Sequence, residues 1–408
     1  MCYYKFCLNK KSVFSILAFS MALCSYVFAV DIPWNVTELQ NAPEYYIAHE
    51  YSKDGVDALF FDGPDYKGSK TQIFAYVGKP SDVTMPAPGV VLVHGGGGTA
   101  SVEWVKRWTD KGYVAMSIDT TGSIPDGKFP SHKKHQNGGP DGWGGFDQID
   151  EPITDQWTYH AVAAIMLANS LLAEEFDANN HNIGVVGVSW GGYLTSIAAS
   201  IDNRFSFAVP IYGCGFLHRN SAWSSTVFKS MGKEKTQKWV RLWDPSAYLR
   251  RCEIPVLWVS DVNDKFFPMD SLKRSASLVY ESQFCIKPDL GHSHAIAFDI
   301  EEAYEFAGSV CDGKKSFVTY SDQNINDGVA FAGYWTLVHP EKAVMLYTLD
   351  SGPWKDRKWN SIPAEIDKFA ENVSAKLPDG TTAYFFNAEN ERAMVSSSPY
   401  MIVPKQEF

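Results

Sequence analysis

Apolar residues fall along this chain in two rhythms. Short continuous apolar runs at 89–93, 113–118, 183–188, 205–211, 254–259 and 283–287 each suit one strand. Between them, at 101–111, 157–173, 190–200, 270–280 and 295–307, apolar positions recur with helical spacing. Strand and helix in alternation predict βαβ units, hence an α/β fold: a doubly wound, mostly parallel sheet with helices on both faces. Ahead of it, residues 50–78 mix strand patterns with turns and fit leading strands of an antiparallel edge.

Two segments interrupt the alternation. Residues 122–155 are rich in Gly, Pro, His and Asp and lack periodicity. A stretch of that length inside a compact domain is more often functional than filler. Residues 213–246 follow a strand and carry Trp223, Trp239 and Trp243. Both segments are expected to flank a pocket mouth, unless their tryptophans merely pack them down.

Past 310–315 the pattern changes to short strands with turn signals, at 317–320, 329–335, 343–349, 383–387 and 393–395. They predict a small all-β sandwich of roughly 90 residues. Trp335, Trp354 and Trp359 are expected in its core, and its role is packing or holding a glycan. The expected organisation is a leader at 1–29, a catalytic domain at 30–312 and the sandwich at 313–408.

Composition narrows the class. The chain has 408 residues, 45% hydrophobic and 20% charged, with a formal net charge of −11. That is a globular balance, and without a basic stripe nucleic acid is not an expected partner. Lys5, Lys10 and Lys11 precede an apolar stretch at 13–29 that ends in Val27-Phe28-Ala29, the pattern of a cleaved secretory signal. Export is therefore expected, to the outside or the periplasm, with no stable membrane insertion afterwards. Three of the 7 cysteines lie in that leader. Cys214, Cys252, Cys285 and Cys311 remain; four cysteines allow three pairings, and no CxxC spacing points to a metal.

The chemistry concentrates at Gly187-Val188-Ser189-Trp190-Gly191. This G-x-S-x-G stretch joins an apolar strand to a helix, the context a nucleophile elbow requires. A serine hydroxyl needs an imidazole to take its proton, and the imidazole needs a carboxylate to orient it. In this arrangement the acid and histidine follow the serine in chain order. Asp264, just past the strand at 254–259, is the favoured acid, with Asp261 and Asp270 as alternatives. His292, after Gly291, is the favoured base, with His294 as its competitor. Upstream, Val90 to Val93 leads into His94-Gly95-Gly96-Gly97-Gly98. Such a turn brings backbone N–H groups close to an oxyanion. Trp190 and either Gly96 or Gly97 are the expected donors. No Lys-Ser/Thr follows, as a phosphate-cradling loop would require.

These stretches carry a resemblance. Val91-Leu-Val-His-Gly-Gly-Gly-Gly-Thr99, Gly187-Val-Ser-Trp-Gly-Gly-Tyr193, Asn263-Asp264 with Phe267-Pro268, and Gly291-His292 resemble the α/β-hydrolase superfamily. More narrowly, Gln156 to Val162, Tyr212 to Phe216 and Trp243 to Ser246 look like the secreted acetyl-xylan-esterase-like and dienelactone-hydrolase-like group. The resemblance implies a serine carboxylic ester hydrolase that needs no cofactor or metal. Its implied substrates are acetyl or methyl esters, small or on plant or algal polysaccharide. One rival is a serine peptidase of the prolyl-oligopeptidase type. Only roughly 60 residues precede the Gly-rich turn after the leader, too few for propeller blades of about 40 residues each. The other is an inactive hydrolase fold that binds glycan.

Overall fold

The computed structural model describes residues 32–313 and 317–404, so the leader at 1–29 lies outside the described residues. Strands β1 (Tyr45–Ile47), β2 (Asp57–Tyr66) and β3 (Ser69–Gly78) form the antiparallel edge expected from residues 50–78. β4 (Ala87–Val93) and β5 (Val114–Ile118) follow, then a hairpin of β6 (Ser123–Lys128) and β7 (Ser131–Lys134). β8 (Ala178–Val188), β9 (Phe207–Ile211), β10 (Val256–Asp261) and β11 (Ser282–Lys287) complete the parallel part. Its strand order is β5-β4-β8-β9-β10-β11. The chain moves outward from β4 to β5 and then returns to β8 on the other side of β4. That reversal makes a crevice beyond the carboxyl ends of β4 and β8, where ligands bind in open α/β sheets.

The helices are α1 (Val36–Leu39), α2 (Val102–Asp110), α3 (Trp157–Glu174), α4 (Trp190–Ile201), α5 (Leu217–Asn220), α6 (Val227–Trp243), α7 (Met269–Ala276), α8 (His294–Phe298) and α9 (Glu301–Cys311). Ser101 caps α2 by accepting from the Trp104 amide, and Trp104 and Trp108 then meet Val90, Leu92, Val186, Leu257 and Tyr304 in one core. α3 is apolar almost all round because it is covered on both sides. It packs on the sheet, and the segment before β1 straps its outer face. There the Trp34 indole donates to Tyr159 O (2.8 Å) and Ser170 Oγ to Leu39 O (2.9 Å). Among the described residues no helix is long and apolar enough to cross a membrane.

The C-terminal strands form two layers. β12 (Thr319–Asn326), β13 (Val329–Trp335), β16 (Glu365–Asp367) and β17 (Asn372–Lys376) make a four-stranded antiparallel sheet. β14 (Lys342–Thr348), β15 (Trp359–Pro363), β18 (Ala383–Glu389), β19 (Val395–Ser397) and β20 (Met401–Ile402) make the other layer. Ala332, Met345, Val373, Tyr384 and Phe386 fill the core between them. This sandwich is not a separate bead. β19 pairs antiparallel with β11, so its second layer continues the main sheet in the order β11-β19-β18-β14-β15. Asn387 Nδ2 donates to Ile286 O (2.9 Å) and Ile286 N donates to Ser397 Oγ (2.8 Å), closing the seam.

Several expectations shift. The helix expected over 295–307 breaks at Asp299 and Ile300 into α8 and α9, because Ile300 is extended (φ −78°, ψ 96°). The one over 270–280 ends at Ala276. Residues 122–155 contain the β6–β7 hairpin, and residues 213–246 contain α6, kinked at Gly232 (φ 72°). Trp335 is not core: it ends the outward-facing register of β13 and is 46% exposed. Trp354 and Trp359 are half-buried. Cys214, Cys252, Cys285 and Cys311 are all free thiols.

Candidate active site

The elbow is built by close backbone approach. Ser189 sits between β8 and α4 at φ 58°, ψ −116°, a conformation costing on the order of 1–3 kcal/mol that the surroundings must hold. Its N–H donates to Ile211 O (2.7 Å) and its C=O accepts from Tyr193 N (2.9 Å). The turn is so tight that a Cβ on Gly191 would stand 2.0 Å from Val93 O, and one on Gly187 2.2 Å from Gly191 O. Those positions therefore admit glycine alone, which explains the spacing of the motif.

Around Ser189 the fold gathers residues far apart in sequence. Ser189 Oγ lies 2.9 Å from His292 Nε2, and His292 Nδ1 lies 2.7 Å from Asp264 Oδ2. Asp264 is fully buried, and its Oδ1 accepts from the Phe266 and Phe267 amides at 2.7 Å each. A carboxylate only accepts, so the proton sits on Nδ1, leaving the Nε2 lone pair to face the serine hydroxyl. The His292 ring is held between Tyr212 (4.8 Å), itself at φ 55°, and Phe266 (4.8 Å).

The alternative residues have other partners. Asp261 accepts from Asn263 N (2.6 Å) and Gly291 N (2.8 Å), which ties the acid loop to the histidine loop. Asp270 accepts from Asn220. Neither is bonded to His292. His294 opens α8, and its Nε2 accepts from the Gly95 amide (2.9 Å). Burial, with His94 nearby, pushes His294 down to about 4, so it is a neutral acceptor.

The glycine turn after β4 lies directly against the elbow. A Cβ on Gly95 would be 2.9 Å from Ser189 Cβ, and one on Gly96 3.1 Å from the Trp190 ring. Gly97, at φ 74°, faces Phe129 and Pro130 at the tip of the β6–β7 hairpin instead. The Trp190 N–H is the first of α4 and has no helical acceptor. His94 supports the turn from below: Nδ1 donates to Gly95 O (2.9 Å) and Nε2 accepts from Thr120 N (3.1 Å). Asp119 beside it accepts from Thr121 N and Ser123 N (2.8 and 2.7 Å), fixing the start of the hairpin.

Both insertions reach this region. Trp143 comes from the first, near Gly96, and its ring is 5.8 Å from His94. Trp223 comes from the second, 4.6 Å from Trp190. Trp239 and Trp243 instead pin the insertions, donating to Gly144 O (2.6 Å) and Gln156 Oε1 (2.7 Å). Residues for which the sequence reading named no role are Gly95, Tyr212 and Phe129. Only the glycine run hinted at the first; the other two act through tertiary placement. Among the described residues no cluster of His, Cys, Asp and Glu is arranged to hold a metal.

Comparison with known proteins bears on the family and the fold. A model of the dienelactone hydrolase family matches residues 73–309. The fold is similar to that of an acetyl xylan esterase from Paenibacillus sp. R4, at 18% identity and a TM-score of 0.54, over 68% of this chain and 92% of that one. It is equally similar to acetyl xylan esterase 1 from Thermoanaerobacterium sp. JW/SL YS485, at 14% identity and a TM-score of 0.54, over 68% and 94%. No curated protein matches the sequence.

Proposed function

The chain belongs to the dienelactone hydrolase family, and from that premise we propose that it is a serine carboxylic ester hydrolase that removes acetyl or methyl groups from polysaccharide through an acyl-enzyme. The observation that carries this reading is the continuous chain Ser189–His292–Asp264, at 2.9 and 2.7 Å.

In this reading Ser189 Oγ attacks the ester carbonyl while His292 Nε2 takes its proton. Asp264 holds the ring and stabilises the imidazolium. The carbonyl oxygen becomes an oxyanion facing the N–H groups of Trp190 and Gly96. Collapse breaks the ester C–O bond, and His292 returns the proton to the departing alcohol. Water, deprotonated by the same Nε2, then releases the acid and restores Ser189. Trp190 is packed among Trp157, Tyr193, Phe146 and Trp223 (6.0, 5.1, 5.9 and 4.6 Å), a filled surround that favours a short acyl group and so the acetyl ester over the methyl ester, whose acyl part is the polymer itself. Export, expected from residues 1–29, would bring the enzyme to polymeric substrate.

Incubation with acetylated and with methyl-esterified polysaccharide is expected to release acetate or methanol. Release of neither, together with cleavage of a prolyl anilide, would assign the site to peptide bonds instead.

His294 enters as a positioning residue. His294→Ala removes the acceptor of the Gly95 amide and is expected to lower kcat about tenfold with little change in KM. That is less than the 10²–10³ that loss of a whole oxyanion donor costs. His294→Gln, which restores an acceptor, should recover part of it. A loss as deep as that of His292→Ala would make His294 the base.

A further inference from the structure

Beside the acid loop lies a cavity of about 380 Å³, within the range of small-molecule sites. Three segments enclose it: residues 220–225 at the end of α5, the acid loop at 264–268, and residues 352–355 from the C-terminal sandwich. The sandwich wall is fixed in place. Asn263 Nδ2 donates towards the carbonyls of Trp354 (3.2 Å), Lys355 (3.3 Å) and Arg357 (2.8 Å). The Arg357 guanidinium lies 3.7 Å over the Trp354 ring, and Tyr400 packs against that ring at 4.3 Å. Trp354 is thus occupied by its own neighbours, and recognition falls to the polar groups.

The charged lining is two lysines and one carboxylate, and that carboxylate, Asp264, is turned to His292 and the two amides of its own loop. Asn220 and Ser225 offer an amide and a hydroxyl, and Lys265 and Lys355 offer two ammonium groups. Neither lysine side chain has an ion pair or hydrogen bond among the described residues. Elsewhere some lysines, such as Lys79, Lys111 and Lys235, meet a carboxylate, and others do not; what marks Lys265 and Lys355 is that both line one cavity. The lining carboxylate, Asp264, is already engaged by His292 and two amides. Two unpaired cations at one cavity repel each other until an anion joins them.

The cavity is also adjacent to the chemistry. Asp264, one hydrogen bond from His292, lines it. So does Ala222, whose neighbour Trp223 lies between Trp190 and Phe266 (4.6 and 6.2 Å). The reading requires a polymer with its ester at Ser189 to pass over Phe266 to reach the cavity. We propose that this cavity is a subsite for an anionic sugar unit, carboxylated or sulfated, of the polymer de-esterified at Ser189. Lys265 and Lys355 supply the charge. The inference rests on the ester-hydrolase reading of Ser189 and gives the C-terminal sandwich a part in substrate choice.

The test is calorimetric titration of the full chain at low ionic strength with three probes: an oligogalacturonide, a sulfated galactan oligomer and a neutral xylo-oligosaccharide. One anionic probe is expected to bind at least about tenfold tighter than the neutral one, and which of the two does so identifies the anion. Added salt should weaken that binding. Lys265→Gln and Lys355→Gln, both at exposed positions, should each lose about tenfold for the anionic probe and nothing for the neutral one. Equal affinity for all three probes, or anionic binding untouched by either substitution, overturns the subsite. Turnover of a simple acetyl ester by the unaltered protein is read in parallel. If that turnover is present without charge discrimination, the subsite alone fails; if it is absent, the reading of Ser189 fails.

Discussion

Ser189→Ala is expected to lower turnover of an acetyl ester by roughly 10⁴–10⁶-fold while leaving the thermal unfolding midpoint near that of the unaltered protein. Loss of the nucleophile in a serine hydrolase costs about as much as loss of the whole triad. The residue that remains makes the same main-chain bonds, Ser189 N to Ile211 O and Tyr193 N to residue 189 O. The φ of 58° is imposed by those bonds and by Gly187, Gly191 and Gly95, none of which changes. The measurement is steady-state hydrolysis of p-nitrophenyl acetate beside a melting curve. Activity within a few-fold of the original would remove Ser189 from the mechanism. A large drop in melting temperature would mean that the hydroxyl serves the fold.

The second large effect concerns the acid. Asp264→Asn is expected to reduce kcat by about 10⁴-fold, because the amide no longer holds the Nδ1–H tautomer and Nε2 then presents its proton rather than its lone pair to the serine. Asp261→Asn is the informative comparison. Asp261 lies only three positions away and is also buried, but it bonds the Asn263 and Gly291 amides rather than His292. Its substitution loosens the loop that carries His292 and should cost about tenfold, in the range of a 1–2 kcal/mol hydrogen-bond loss. Single-turnover rates of the two variants measured side by side decide the assignment, and the reverse ranking would exchange their roles.

How much of this was legible in the residues depends on what kind of constraint each one answers to. The strand–elbow–helix at 183–200 was readable because local sterics demand it: Gly187 and Gly191 are dictated by contacts within the turn and with Val93. The six parallel strands were readable as apolar runs for the same local reason. The difference between His292 and His294 was readable only as a preference for the residue that follows Gly291. Both lie on one short segment, and what separates them is the Gly95 amide, 199 positions upstream of His294. The helix α6 escaped notice because Gly232 interrupts it and its Lys-rich middle shows no apolar stripe. β15 and β17 were missed as well, since β15 buries almost nothing and β17 only alternate small residues. The tryptophans misled in the sandwich, where a ring at a strand end faces outward however apolar it is.

The pairing of β19 with β11 has a further consequence for engineering. A chain cut after α9 would leave β11, the outermost parallel strand, with a bare row of amides and carbonyls on one side. Such open edges recruit other chains. The last hundred or so residues therefore behave as a selvedge that keeps the enzyme from fraying into aggregates. They cannot be trimmed away as an accessory or exchanged for another module without first supplying a new hem.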